Sequence, residues 1–359
     1  MKFCTRCGLA NGDDANFCAK CGNSFDSIKT DVGENQSSWV GRLNDYVGNN
    51  SPADLNWRVL FSDVLKRHTR EEAEEIFICG TKATTPSLEN VSKEWPHPWL
   101  YSRVFAMFAI AFLLLYVCCS VFGNINTLPG FIVVGAFTVP LSTLILFLEV
   151  NAYRNVSIYD VGQTFLIGGC ASLVATLLLF SIVGGGGELD FFGAIVVGVV
   201  EELGKAVIVY YFIKRMNKFN ILPALLIGAS VGAGFAAFES AGYALNVLIA
   251  YGWEAMMDNI ILRGILSPGG HVAWAAITGA AFVIASRELP EFSTSVFTNK
   301  RFLRLFLIPV LLHAAWDSPL SAIGIEIYLV PILLTAFVWI VVLILINMGL
   351  SEIAKYKRN

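Results

Sequence analysis

Charge is what this chain has least of. Asp, Glu, Lys and Arg make up 15% of its 359 residues, where soluble domains carry about 25%, while 55% of the residues are hydrophobic. That scarcity excludes one soluble globule. It is also uneven: the stretch before Tyr101 is polar or mixed, and nearly everything after it is apolar. A soluble front joined to a polytopic membrane domain is the expected organisation. A net charge of −3 gives no basis for nucleic-acid binding. The opening residues, MKFCTRCG, lack the apolar core of a secretory signal, so the front end is expected in the cytosol. There is also no H-E-x-x-H helix of the common zinc proteases.

Cysteine is present in two groups. Cys4, Cys7, Cys18 and Cys21 form C-x2-C pairs, with Gly8 and Gly22 after each second thiol. Four thiolates in a reducing compartment suit a closed, structural zinc site, a short zinc ribbon used for docking or regulation. Cys79, Cys118, Cys119 and Cys170 read as small buried residues. Residues Ser24 to Ser38 read as a linker. Two short helices are expected next. The first is DLNWRVLFSDVLKR; the second is TREEAEEIFICG, where Thr69 and Glu72 form a capping-box pattern and Gly80 a stop. Trp95, Trp99 and Tyr101 are expected at the membrane interface, and His97 at the surface.

About eight apolar runs are long enough to cross a bilayer, at 103–123, 130–149, 163–183, 190–213, 221–247, 269–287, 302–322 and 326–348. An additional surface helix fits between Ser240 and Gly270. Lys and Arg follow runs two, four, six and eight, and the loops between are almost free of them. The positive-inside rule then places both termini in the cytosol. Gly228 and Gly232 form a G-x-x-x-G that permits close helix packing. The expected class is an all-α polytopic membrane protein in the plasma membrane. Its expected parts are a zinc ribbon (1–24), a linker (25–50), a cytosolic helical adaptor (51–98), a transmembrane domain (99–350) and a cytosolic tail (351–359).

The fourth run contains VVEELGKAVIVYYF. Charges at mid-bilayer are costly, roughly 2.5–3.5 kcal/mol each on insertion scales. Glu201 and Lys205 share a helix face, and Lys205 is three residues from Glu202. One lysine does not readily satisfy two carboxylates, so the second needs a proton, a metal or another helix. Candidates stand on later runs: Glu239 in GFAAFES, His271 after a Pro-Gly-Gly break, and His313 and Asp317 in HAAWD. Their heights in the runs place them between mid-membrane and the outer face. A wet cavity there is the simplest way to hold them.

Together these motifs resemble the PrsW intramembrane proteases, distant relatives of the type II CAAX prenyl endopeptidases. They stand here as Glu201-Glu202-Leu-Gly-Lys205, Phe235-Ala-Ala-Phe-Glu239, His271 and His313-Ala-Ala-Trp-Asp317, between about Trp99 and Met348. Glu239 and Asp317 depart from the CAAX pattern of histidine and asparagine and favour the PrsW branch. The resemblance implies a metalloprotease acting on a membrane-anchored protein, such as an anti-sigma factor, near the outer face. Glu201 is the expected general base, and Asp317 would orient His313. Two versions stay open at this point. In one, His271, His313 and a carboxylate such as Glu239 hold a catalytic zinc ion; in the other, Glu201 and Glu239 handle water without metal. Expected partners are the lipid bilayer, a membrane-protein substrate and a cytosolic protein for the ribbon. A secondary transporter and a non-catalytic scaffold are the rival readings of the same polar cluster.

Overall fold

The computed structural model describes residues 2–3, 10–11, 39–49, 52, 55–184, 189–324 and 328–356. The zinc-ribbon cysteines Cys4, Cys7, Cys18 and Cys21 lie outside the described residues. Beside them, Lys2–Phe3 pairs antiparallel with Ala10–Asn11. Every other described element is helical.

Two front-end expectations differ in detail. Helix α1, Trp39–Val47, stands within the stretch read as linker. Trp39, Leu43, Tyr46 and Val47 recur at helical spacing, which gives it an apolar side. DLNWRVLFSDVLKR forms only a single helical turn, α2 (Trp57–Leu60), followed by turns. Helix α3 (Arg70–Phe77) starts with the expected capping box: Thr69 accepts from the Glu72 amide, and the Glu72 side chain accepts from the Thr69 amide.

Membrane-length helices follow. Helix α4 is Leu100–Ser120 and α5 is Leu128–Val150. Helix α6 covers Ile158–Val183 and has a π turn at Thr164–Gly168. Helix α7 is Phe191–Met216, α8 is Ile221–Tyr251 and α9 is Trp253–Leu266. The last three are α10 (His271–Ser286), α11 (Lys300–Asp317) and α12 (Leu329–Tyr356). Among the described residues, six stretches are long and apolar enough to cross a membrane, where eight were expected. One of the six joins α9 to α10, Trp253–Ser286. The difference is made by α7 and α11. Both are long enough, but α7 carries Glu201, Glu202, Lys205, Lys214 and Arg215, and α11 carries Lys300, Arg301, Arg304 and Asp317.

The core is built around α8 and α10, whose backbones approach closely. A Cβ on Gly228 would lie 2.1 Å from the Ala275 carbonyl, and one on Gly232 would lie 2.2 Å from the His271 carbonyl. The G-x-x-x-G therefore sets the distance between the two helices. A smaller apolar cluster at the far end of α8 joins Ala244 to Phe131 and Ile132 of α5 and to Met256 and Ile260 of α9.

The front end is fastened to the helices. The carboxylate of Glu149 accepts from the amides of Trp99 (2.8 Å), Leu100 (2.9 Å) and Tyr101 (2.9 Å), and so caps the start of α4 from α5. Trp99 is buried and stacked on His68 at 3.8 Å; it is a docking residue where an interfacial anchor was expected. His97 is exposed, as expected. Arg154 donates to the Glu75 carbonyl. Tyr46 of α1 donates to the Arg304 carbonyl at the foot of α11 (2.8 Å). Of the scattered cysteines, Cys79 is buried, and burial pushes its thiol pKa up, which fits an inert residue. Cys118 and Cys119 are half-buried and Cys170 is exposed, so these three depart from the expected burial. Small apolar residues are as well placed against lipid as against protein.

Candidate active site

Five of the seven polar residues singled out in the sequence, Glu201, Glu239, His271, His313 and Asp317, line one cavity of about 540 Å³, and the other two, Glu202 and Lys205, join them through hydrogen bonds. Four helices bring them there. Helix α7 starts with Asp190 accepting from the Gly193 amide (2.7 Å) and ends with Lys214 and Arg215 in its last turn. Its middle presents Glu201, Glu202 and Lys205. At Gly198 it presses against α11: a Cβ there would lie 3.0 Å from the Val310 carbonyl. This contact lies one turn before His313. His271 is the first residue of α10, set by the Ser267–Gly269 turn and by Gly232 against its own carbonyl.

The buried part is a closed chain of contacts. Lys205 Nζ donates to Glu202 Oε1 (2.6 Å), lies 2.8 Å from His271 Nδ1 and sits 4.2 Å above the Phe235 ring. Glu202 Oε1 is also 2.8 Å from His313 Nδ1. An ionised carboxylate only accepts, so Nδ1 carries a proton and turns the other ring nitrogen, Nε2, toward the cavity side. That nitrogen faces Glu201 Oε2 at 3.6 Å and Asp317 Oδ2 at 3.3 Å. Trp274 stacks on the His313 ring at 4.5 Å. On the other side, His271 Nε2 is 3.1 Å from Glu239 Oε2.

Among the described residues, Glu201, His271 and His313 form the group whose ligand atoms converge, all within 4.8 Å of one another. Glu239 lies outside that group and is held by Arg263 at 2.5 Å. Two observations test the fit of a metal. The donor set, one carboxylate and two imidazoles, is the kind that holds catalytic zinc with a position left open. Glu201 Oε2 is buried with no hydrogen-bond partner. Charge agrees. Lys205 answers Glu202 at 2.6 Å and reaches Glu201 only at 3.7 Å, and Arg263 answers Glu239; among the described residues, no lysine or arginine pairs with Asp317. Two formal negative charges then remain beside the three ligand atoms, a match for a divalent ion.

The comparisons with known proteins decide the family. The model of the PrsW family intramembrane metalloproteases matches residues 159–346, more than half of the chain and all seven site residues. The chain belongs to the PrsW family. It is thus an intramembrane protease of the metallo type. A protein described as Protease PrsW, from Clostridioides difficile (strain 630), is 29% identical over 204 residues, 54% of this chain and 78% of that protein. No solved structure matches.

Within this PrsW domain, sequence reasoning missed the α9 wall. Asn259, Leu262, Arg263 and Leu266 line the same cavity as Glu201 and His313. The additional helix between Ser240 and Gly270 was expected, but Arg263 read as an ordinary loop charge. The signal was there in the spacing. Met256 and Ile260 bury one face of α9, and Asn259 and Arg263 fall on another.

Proposed function

We propose that this chain hydrolyses a peptide bond of a membrane-anchored protein near the outer face of the plasma membrane, an anti-sigma factor being the substrate class that the sequence resemblance favours. Helices α7 and α11 cross the bilayer with the six apolar stretches, and both termini lie in the cytosol. The front end, 1–24, is a zinc ribbon for a cytosolic partner. The linker (25–50), adaptor (51–98), protease domain (99–350) and tail (351–359) follow it.

One observation carries the catalytic reading: Glu201, His271 and His313 converge within 4.8 Å on a roomy cavity lined by polar groups. These three would hold a catalytic zinc ion. When bound, the ion supplies Lewis-acid polarisation of the scissile carbonyl and acidifies water. The chain does the rest. Glu202 fixes the His313 ring from behind and Lys205 fixes Glu202, as partners of metal-ligating histidines generally do. Asp317 takes the proton from water and returns it to the leaving amine. It is a quarter exposed, lies 3.3 Å from His313 Nε2 and, among the described residues, pairs with no lysine or arginine. The sequence pointed to Glu201 for the proton; in this proposal Glu201 is a ligand and Asp317 is the base.

The test is cleavage in proteoliposomes loaded with membrane proteins of the host cell, with new N-termini mapped by mass spectrometry. The parent chain is expected to generate new termini near the outer ends of single spans. Glu201→Gln should lose both these termini and the zinc bound beyond that of the ribbon. Asp317→Asn should keep zinc and slow turnover by about 10²–10⁴. Termini that persist in Glu201→Gln at the parent rate remove Glu201 from the chemistry.

A further inference from the structure

Arg263 is a cation on the cavity wall that the reaction just described leaves without a task. It projects from α9 and is gripped by three residues of α8. Nη2 meets Glu239 Oε2 at 2.5 Å, Nε donates to Ser240 Oγ at 2.9 Å, and the guanidinium sits 4.5 Å from the centre of the Tyr243 ring. What it holds is significant. Glu239 Oε2 is already 3.1 Å from His271 Nε2. Neighbouring ligand atoms around tetrahedral zinc, each bonded at about 2.0–2.1 Å, stand roughly 3.4 Å apart. Glu239 is thus close enough to enter the first coordination sphere beside His271, yet it falls outside the converging group.

We propose that Arg263 is a positioning residue that withholds Glu239 from the metal. The protein then supplies three ligands, Glu201, His271 and His313, and the fourth position stays open to water. Released from the guanidinium, Glu239 would add a fourth ligand and a third negative charge. A site closed by four protein ligands is structural in character and leaves no place for a reacting molecule. Ser240 and Tyr243 hold the guanidinium flat against α8, and Met256 and Ile260 anchor α9 from its other face. Arg263 therefore keeps Glu239 bound from a fixed base.

The inference rests on the metal reading above, and its test separates the two. The full chain is titrated in detergent with zinc against a chromophoric chelator, and the His313→Ala chain serves as the blank for ions held elsewhere. Arg263→Gln is expected to lower the zinc dissociation constant at least tenfold. Arg263→Lys keeps a cation opposite Glu239 and should stay within threefold of the parent. The double variant Arg263→Gln/Glu239→Gln removes the freed carboxylate and should return to the parent value. Glu239→Gln alone should leave zinc affinity within threefold, and this single variant decides the matter if Arg263→Gln does not fold. An Arg263→Gln chain with parent-like or weaker zinc affinity overturns the inference. So does a double variant as tight as Arg263→Gln, or a tenfold weakening in Glu239→Gln. A parent chain that takes up no zinc beyond the blank overturns this inference together with the metal reading.

Discussion

Helices α4 and α8 have nearly equal mean hydropathy, and they lie in opposite places. None of the most apolar window of α4 is buried in the protein, whereas 94% of that of α8 is. Size of side chain separates them. Helix α4 is built of Phe, Met, Leu and Tyr, as in Phe105, Met107, Leu113 and Tyr116. Helix α8 offers Gly228, Ala229 and Ser230 and then, past Val231, Gly232, Ala233 and Gly234. Inside a membrane, lipid is as apolar as leucine, so burial is driven by close packing, and small residues mark it. The lesson bears on the site. The helix that carries Glu239 is central because its backbone can touch α10, and that contact holds His271.

The largest expected effect comes from reversing this property of α8. Gly232→Leu would drive a side chain into the His271 carbonyl, 2.2 Å from where its Cβ must stand. Loss of about 3 kcal/mol is expected, at the upper end for overpacking, with cleavage abolished. Thermal unfolding in detergent and the cleavage assay measure both. A stable, active Gly232→Leu chain would break the comparison. A smaller effect is expected where α4 is fastened. Glu149→Ala leaves the Trp99, Leu100 and Tyr101 amides without their acceptor and should cost about 1–3 kcal/mol. Limited proteolysis should then cut near Trp99 sooner than elsewhere. The smallest effect belongs to the lipid-facing side of α4. Leu113→Ala and Leu114→Ala remove exposed side chains and should shift stability by no more than about 0.5 kcal/mol. A loss of several-fold more would mean that α4 packs against another protein surface.

Much of this was legible in the sequence because charge in an apolar run is expensive enough to be informative. Glu201, Glu202, Lys205, Glu239, His271, His313 and Asp317 were all visible as anomalies, and all seven meet. The G-x-x-x-G of α8 was legible for the same reason that it works: two small residues share one face. Other features were hidden by context. Arg263 is a charge in a segment where charge was unremarkable, and only the fold turns it toward Glu239. Asn259 is a neutral amide and carries no anomaly. Helix α1 is short and follows a polar stretch, so its apolar spacing was absorbed into the linker. Six apolar stretches stand where eight were expected because α7 holds Glu201, Glu202 and Lys205 of the site, while α11 adds Lys300, Arg301 and Arg304 at its foot to Asp317. Charge that marks a site also lowers the apolarity of the helix that carries it.

The placement of Lys205 three residues after Glu202 has a consequence for biogenesis. On the proposal above that α7 crosses the bilayer, it leaves the ribosome well before α8, α10 and α11, so none of its later partners is available when it first meets lipid. A helix that carries its own counterion on the next turn arrives at the translocon with one carboxylate, not two, in excess of its lysine. The partition of that segment into the bilayer is eased in advance, and the remaining acid is left to be claimed when His313 is finally made.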